Sequence, residues 1–129
     1  MKLQEAKILI VDDDRIMMMY VISLLTRLGV QQVQQAENGF DGLKLVASFR
    51  PDVVLTDIHM TEMNGLEFVA KLRSHPEVHL RKTPVLVMSA DSSSKTLNAA
   101  VPMGVVGYII KPPQVEALKT KLEQALKFK

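Results

Sequence analysis

Short apolar runs that stop abruptly at polar residues alternate along this chain with longer stretches whose apolar positions recur at helical spacing. Lys7 to Val11 is a β-branched run that ends in Asp12-Asp13-Asp14, as a strand buried on both faces does. From Arg15 to Leu28, the positions Ile16, Met19, Tyr20, Ile22, Leu24 and Leu28 predict a helix packed on a sheet, stopped by Gly29. Gln32 to Ala36 is a weak strand placed near an edge, and Asn38 caps a helix from Gly39 to about Phe49, which Pro51 ends. Val53 to Thr56 is a buried strand stopping at Asp57, and Asn64 precedes a helix from Gly65 to about Ser74. After a polar link from His75 to Thr83, Pro84 to Met88 forms a strand ending at Ser89. A fourth helix is expected from about Ser93 to Ala100, with Pro102 opposing α geometry at Val101. Gly107 to Ile110 is the last strand, and Pro113 reads as the first residue of a fifth helix reaching about Phe128.

Five strand-helix units without repeats imply an α/β layer fold, a parallel sheet with helices on both faces. In such sheets ligands bind beyond the carboxyl ends of the strands, where the strand order switches direction. The polar residues converge on that edge. Asp12 and Asp13 follow the first strand, Asp57 the third, Ser89 the fourth and Lys111 the fifth. With the strands ordered 2-1-3-4-5 the first and third are neighbours, so their terminal carboxylates crowd one pocket and must protonate, spread apart or recruit a cation. The candidate ligands are hard oxygens, which favours Mg²⁺ over zinc, with Mn²⁺ able to substitute. A carboxylate alone is repelled by a dianionic phosphoryl group. A bridging metal and the Lys111 ammonium would neutralise that charge, Ser89 would offer a hydroxyl, and Asp57 would become the acceptor.

Composition narrows the alternatives. The chain has 129 residues, 47% of them hydrophobic and 23% charged, a balance that supports one folded core and does not call for disorder. Zero cysteines exclude a thiol nucleophile, a disulfide and a thiolate zinc site. The net charge of +2 is too small to argue for nucleic acid, and Lys119, Lys121, Lys127 and Lys129 read as a solvated helix face. The Met17-Met18-Met19 run reads as core or helix surface. No apolar run approaches the roughly 20 residues needed to span a bilayer, and the N-terminus does not open a secretory signal, so a cytoplasmic location is expected.

At the residues that carry this chemistry the chain resembles the receiver domains of bacterial two-component response regulators, of the chemotaxis-receiver kind. The matching motifs are Ile8 to Asp13, Val53 to Met60 with Met63-Asn64-Gly65, Val85 to Ala90, and Tyr108 to Pro112; their order and spacing together are specific and cover nearly the whole length. The resemblance implies a single receiver domain over 1–129, with a flavodoxin-like, doubly wound, five-stranded parallel sheet and five helices. It implies Asp57 as phosphoacceptor, Asp13 and Asp57 as direct metal ligands, Asp12 acting largely through water, and the main-chain carbonyl of His59 completing the set. It also implies Ser89 and Lys111 as phosphoryl contacts, Tyr108 as a switching aromatic, and a cis Lys111-Pro112 bond that aims the lysine inward. The expected function is a phosphorylation-dependent switch, fed by a sensor histidine kinase, phosphotransfer protein or small phosphodonor. Its enzymatic activity is expected to be confined to its own Asp57. Signal would leave by the face of the fourth helix, fifth strand and fifth helix, toward a protein target or a second copy, with no membrane or direct nucleic-acid contact.

Several readings compete with these assignments. Asp12 could cap the first helix, Asp14 reads as a cap or a solvent-facing residue, and the His59, His75 and His79 side chains read as surface groups. A phosphorylation-independent interaction domain of the same fold is the main alternative function. An aspartate-nucleophile phosphatase is disfavoured because His59 stands where a second acid is needed. Four positions depart from the receiver pattern: Thr61 replaces a loop proline, Pro102 shortens or bends the fourth helix, Val105-Val106-Gly107 replaces an alanine followed by acidic residues, and Pro113 replaces an aromatic. Val106 in particular should make the output face more apolar. No output segment is expected after Phe128, which leaves a stand-alone receiver or a piece of a longer regulator.

Overall fold

The computed structural model describes residues 1–60, 62–90 and 98–127. Five strands, β1 (Lys7–Val11), β2 (Gln32–Ala36), β3 (Val53–Asp57), β4 (Val85–Ser89) and β5 (Gly107–Ile110), form one parallel sheet. Their order is β2-β1-β3-β4-β5, that of the doubly wound fold the receiver resemblance implies. β3 and β4 are buried at every position, while β2 and β5 keep exposed residues because each lies at a sheet edge.

The two-residue period of the strands divides the interior into two cores. Ile8, Ile10, Val53, Leu55, Leu86 and Met88 face one side, where they meet Val21, Leu24 and Leu25 of α1 (Arg15–Arg27) and Leu118 and Leu122 of a C-terminal helix. Leu9, Val11, Val54, Val85 and Val87 face the other, against Val46 of α2 (Gly39–Phe49) and Phe68, Val69 and Leu72 of α3 (Gly65–Arg73). Helix starts follow local chemistry. Asp14, Asn38 and Asn64 each accept an amide hydrogen bond from the first turn, and Glu67 completes a capping box with Asn64. α1 stops before Gly29, whose φ of 88° is a left-handed conformation that glycine adopts without penalty.

Four expectations need correction. α1 forms where expected, but Ile16, Met19 and Tyr20 face outward, with 81%, 70% and 41% of their surface exposed; the sheet-facing stripe is Met18, Val21, Leu24 and Leu25. An apolar residue at nearly every position of this helix leaves its inward face undetermined by pattern alone. The link after α3 contains an additional helical turn, α4 (Val78–Arg81), fixed by Leu80, which inserts into the second core. Pro113 is not the first residue of the C-terminal helix. That helix, α5 (Val115–Leu126), has Gln114 in extended geometry as its N-cap, and its first bond runs from the Leu118 N–H to the Gln114 carbonyl. Finally, Val106 is half-buried and packs against the first core, so it adds little apolar surface to the expected output face.

The fourth helix was expected over residues 93–100, and 93–97 lie outside the described residues, as do Thr61 and Phe128. Residues 98–100 are helical and pass into a 3₁₀ turn at Val101–Met103, consistent with the block that Pro102 places on α geometry. Arg73 at the end of α3 ties this turn to the body. Its guanidinium donates to the carbonyls of Arg81 (3.0 Å), Thr83 (2.7 Å), Met103 (2.8 Å) and Gly104 (3.2 Å). Burial lowers its pKa, and the four carbonyls replace the water it gives up.

Candidate functional site

The β1 and β3 register pairs Val11 with Thr56, so the next residues, Asp12 and Asp57, emerge side by side at the carboxyl edge of the sheet. Asp12 is fully buried and Asp57 nearly so, whereas Asp13 is exposed. One carboxylate oxygen from each of Asp12, Asp13 and Asp57 lies within 4.8 Å of the other two. Asp12 Oδ1 accepts from the Asp14 N–H at 3.0 Å, and Asp57 Oδ1 accepts from the Ile58 N–H at 2.8 Å. Their second oxygens share one cation: Lys111 Nζ lies 2.8 Å from Asp12 Oδ2 and 3.3 Å from Asp57 Oδ2.

This arrangement leaves excess negative charge in a place poor in water. Burial raises the Asp57 pKa above the ordinary carboxylate range; the Lys111 charge opposes the rise, and the Asp12 charge adds to it. For Lys111, burial favours the neutral amine, but the hydrogen bond from its ammonium to Asp12 and the charges of Asp12 and Asp57 together outweigh burial and raise its pKa. The lysine is therefore held charged between the two acids. Three carboxylates against one ammonium are two charges short of neutrality, and the donors are all hard oxygen, so the residues present fit a small divalent cation.

The remaining predicted residues fall around this cluster. Ser89 closes β4 and is buried, and its carbonyl accepts from the Lys111 N–H at 2.9 Å, so the sheet ladder joins the two. Lys111-Pro112 is a cis peptide bond. Tyr108 sits on β5 opposite Val87 with 41% of its surface exposed, and Ile110, two residues on, shares its face of the strand. The His59 side chain is exposed and contributes no atom to the carboxylate group. Asp14 lies outside that group too and caps α1. His75 accepts from the Glu77 N–H at 3.0 Å, and His79 is exposed.

The loop after β3 packs closely against Asp57. Glu62 has a φ of 67°, an unfavourable conformation for a residue with a side chain, and Met60 and Met63 on either side anchor the loop in the second core. Gly65 then returns to β3, and its N–H donates to the Ile58 carbonyl at 2.8 Å. One residue near the site was not singled out from sequence as part of it. Tyr20 donates from its hydroxyl to the Pro113 carbonyl at 2.9 Å, across 93 residues, and no local pattern signals such a contact. At the other end of the sheet, the carbonyl clamp at Arg73 is equally invisible, because its acceptors are main-chain atoms of two segments, 81–83 and 103–104.

Fold and donor set together define an open α/β domain whose crevice, at the switch in strand order, suits a small hard cation and a group that the cation can neutralise. Residues 8–123 match the response regulator receiver domain, and the chain belongs to that family. It is similar to chemotaxis protein CheY1 of Helicobacter pylori, 36% identical over 121 residues that span 93% of this chain and 96% of that protein. Chemotaxis protein CheY-3 of Vibrio cholerae is also 36% identical, over 118 residues, 92% of this chain and 89% of that one. The solved structure of Vibrio cholerae chemotaxis protein CheY4 superposes with a TM-score of 0.86 at 30% identity, covering 94% of this chain and 98% of that chain. Receiver domains of this CheY-like kind are phosphorylation-dependent signalling switches. No helix among the described residues is long and apolar enough to cross a membrane.

Proposed function

We propose that this chain accepts a phosphoryl group on Asp57 from a histidine kinase, a phosphotransfer protein or a small phosphodonor, and passes the change to a protein partner. The observation that carries this reading is the Lys111 ammonium held between Asp12 and Asp57 inside the three-carboxylate cluster. In the transfer, an Asp57 carboxylate oxygen forms a bond to phosphorus as the bond from phosphorus to the donor atom breaks, and that bonding pair leaves with the donor. Lys111, held between Asp12 and Asp57, would stabilise charge on the transferring oxygens, and Ser89 would offer its hydroxyl from the adjoining strand end. Asp12, Asp13, Asp57 and the main-chain carbonyl of His59 would hold Mg²⁺, or Mn²⁺ in its place. When bound, that ion supplies the charge neutralisation that one ammonium cannot provide for three carboxylates and a phosphoryl group. The domain is read as one unit over residues 1–129, a cytoplasmic signalling protein whose chemistry is confined to its own aspartate.

Acetyl phosphate with Mg²⁺ is expected to add one labile phosphoryl group per chain, and chelation of the metal should abolish the addition. Incorporation that is indifferent to chelation would favour a metal-independent modification. Asp13→Ala should weaken Mg²⁺ binding by about tenfold or more, because it removes one of three carboxylates while leaving the buried Asp12-Lys111 pair in place. An unchanged affinity in a Mg²⁺ titration would remove Asp13 from the ligand set.

The output is read at the face of the fourth helix, β5 and α5. Tyr108 stands outward there, and Val101 and Ile110 add exposed apolar surface, 68% and 53% exposed. A phosphoryl group draws the Ser89 hydroxyl toward Asp57, which gives Tyr108 room to move inward, and a partner that prefers the inward ring favours phosphorylation by the same free energy. Tyr108→Ala should therefore reduce the gain in partner binding or self-association on phosphorylation without preventing modification of Asp57. Equal gains in both proteins would place the output face elsewhere.

A further inference from the structure

The loop that follows Lys111 has an unusual chemical deficit. Pro112 and Pro113 are consecutive, so neither has an N–H, and the only hydrogen-bonding groups their backbone can offer are carbonyls. On its N-terminal side Lys111 is fixed, since its N–H donates to the Ser89 carbonyl at 2.9 Å in the sheet ladder. On its C-terminal side, the Tyr20 hydroxyl of α1 donates to the Pro113 carbonyl at 2.9 Å. The Tyr20 ring lies 41% exposed on the outer side of α1, so the hydroxyl is not there as a by-product of burying an aromatic in the core. It bridges the helix that begins just after the acidic cluster to the loop that carries the cluster's only ammonium among the described residues.

We propose that Tyr20 is a positioning residue for phosphoryl transfer, acting through Lys111 by tethering the 111–114 loop to α1. This rests on the reading of Lys111 as a phosphoryl contact. A lysine side chain has four rotatable carbons and a point charge with no preferred fork geometry, so its backbone must be held if the ammonium is to stay between two acids. Transfer rates are sensitive to such placement, because a small displacement of a group that stabilises charge removes much of its effect. The tether also makes α1 mechanically continuous with the loop that carries the lysine.

Tyr20→Phe tests this, because it keeps the ring and removes only the hydroxyl. Labelling of amines with a small water-soluble succinimidyl ester, read peptide by peptide against Lys44 and Lys82 as internal references, should modify Lys111 about fivefold faster in the variant, the factor that one lost hydrogen bond is worth. Phosphorylation by acetyl phosphate with Mg²⁺ should slow by a similar factor. In a Lys111→Met background the Tyr20→Phe substitution should have no further effect on that rate. Unchanged Lys111 labelling would overturn the tether, and an undiminished slowing in the Lys111→Met background would show that Tyr20 acts by another route. A wild-type protein that takes up no phosphoryl group would instead defeat the reading of the site, while the labelling ratio would still decide the tether.

Discussion

Asp57→Asn is expected to incorporate no phosphoryl group from acetyl phosphate and Mg²⁺ while folding into a metal-free protein more stable than the wild type at neutral pH. The first half follows from chemistry: an amide at the same position lacks the anionic oxygen that attacks phosphorus. The second follows from the direction of the Asp57 shift. Burial raises its pKa in the folded state, with Asp12 adding to the rise, so protonation of this group favours folding. That contribution is fully present below the ordinary carboxylate range and is lost as pH rises through the raised value. Wherever Asp57 is ionised, the wild type therefore carries a charge that its surroundings disfavour, and the neutral amide does not. The stability gap between the two proteins should close as pH falls through the Asp57 transition. In Mg²⁺ the order should narrow or reverse, because only the wild type has all three carboxylates to bind the ion. Thermal unfolding across pH, with and without Mg²⁺, measures both effects. A variant that still takes up phosphate at the wild-type level would move the acceptor elsewhere.

The second large effect is expected at Gly65. A Cβ built on this residue would lie 2.0 Å from the Asp57 carbonyl oxygen and 2.9 Å from both the Asp57 carbonyl carbon and Ile58 Cα. All three are backbone atoms, so no rotamer change relieves the contact, and the end of β3 must shift. Gly65→Ala should cost about 3 kcal/mol of stability in urea unfolding and reduce the rate of phosphoryl uptake by about a hundredfold in the fraction that folds. Gly42 provides the comparison. Its added Cβ meets the Phe68 ring at 3.0 Å and a Val11 methyl at 3.1 Å, both side chains that can yield, and neither belongs to the cluster. Gly42→Ala should therefore be milder in stability and close to neutral in uptake. Equal effects of the two substitutions on uptake would show that the approach of Gly65 to Asp57 has no particular role at the site.

Much of the candidate site is legible in the sequence because the residues that carry it stand at strand ends, where period and polarity change together. Asp12, Asp57 and Ser89 each follow an apolar run buried between two helix layers, Lys111 follows the apolar edge strand β5, and the parallel topology brings all these ends to one edge. Asn38 and Asn64 were readable as caps for a similar reason: a short side-chain oxygen before a helical pattern has a local partner. α1 was readable as a helix but not in its orientation, and Pro113 was readable as a helix neighbour but not as a residue left outside the helix. In both cases several local arrangements are nearly equal in energy, and contacts with the rest of the molecule choose among them.

By itself the sequence determined the strand-helix alternation, the parallel sheet it requires and the set of polar groups at the carboxyl edge, because these depend on periods and residue types within a few positions. Only the tertiary structure decided that Lys111 rests on Asp12 as well as Asp57, that Tyr20 reaches the Pro113 carbonyl, that Arg73 clamps four carbonyls, and that Val106 packs inward. These are contacts between residues far apart in the chain, several of them to main-chain atoms that every residue type shares. Their energies depend on distance and burial, which no local pattern specifies.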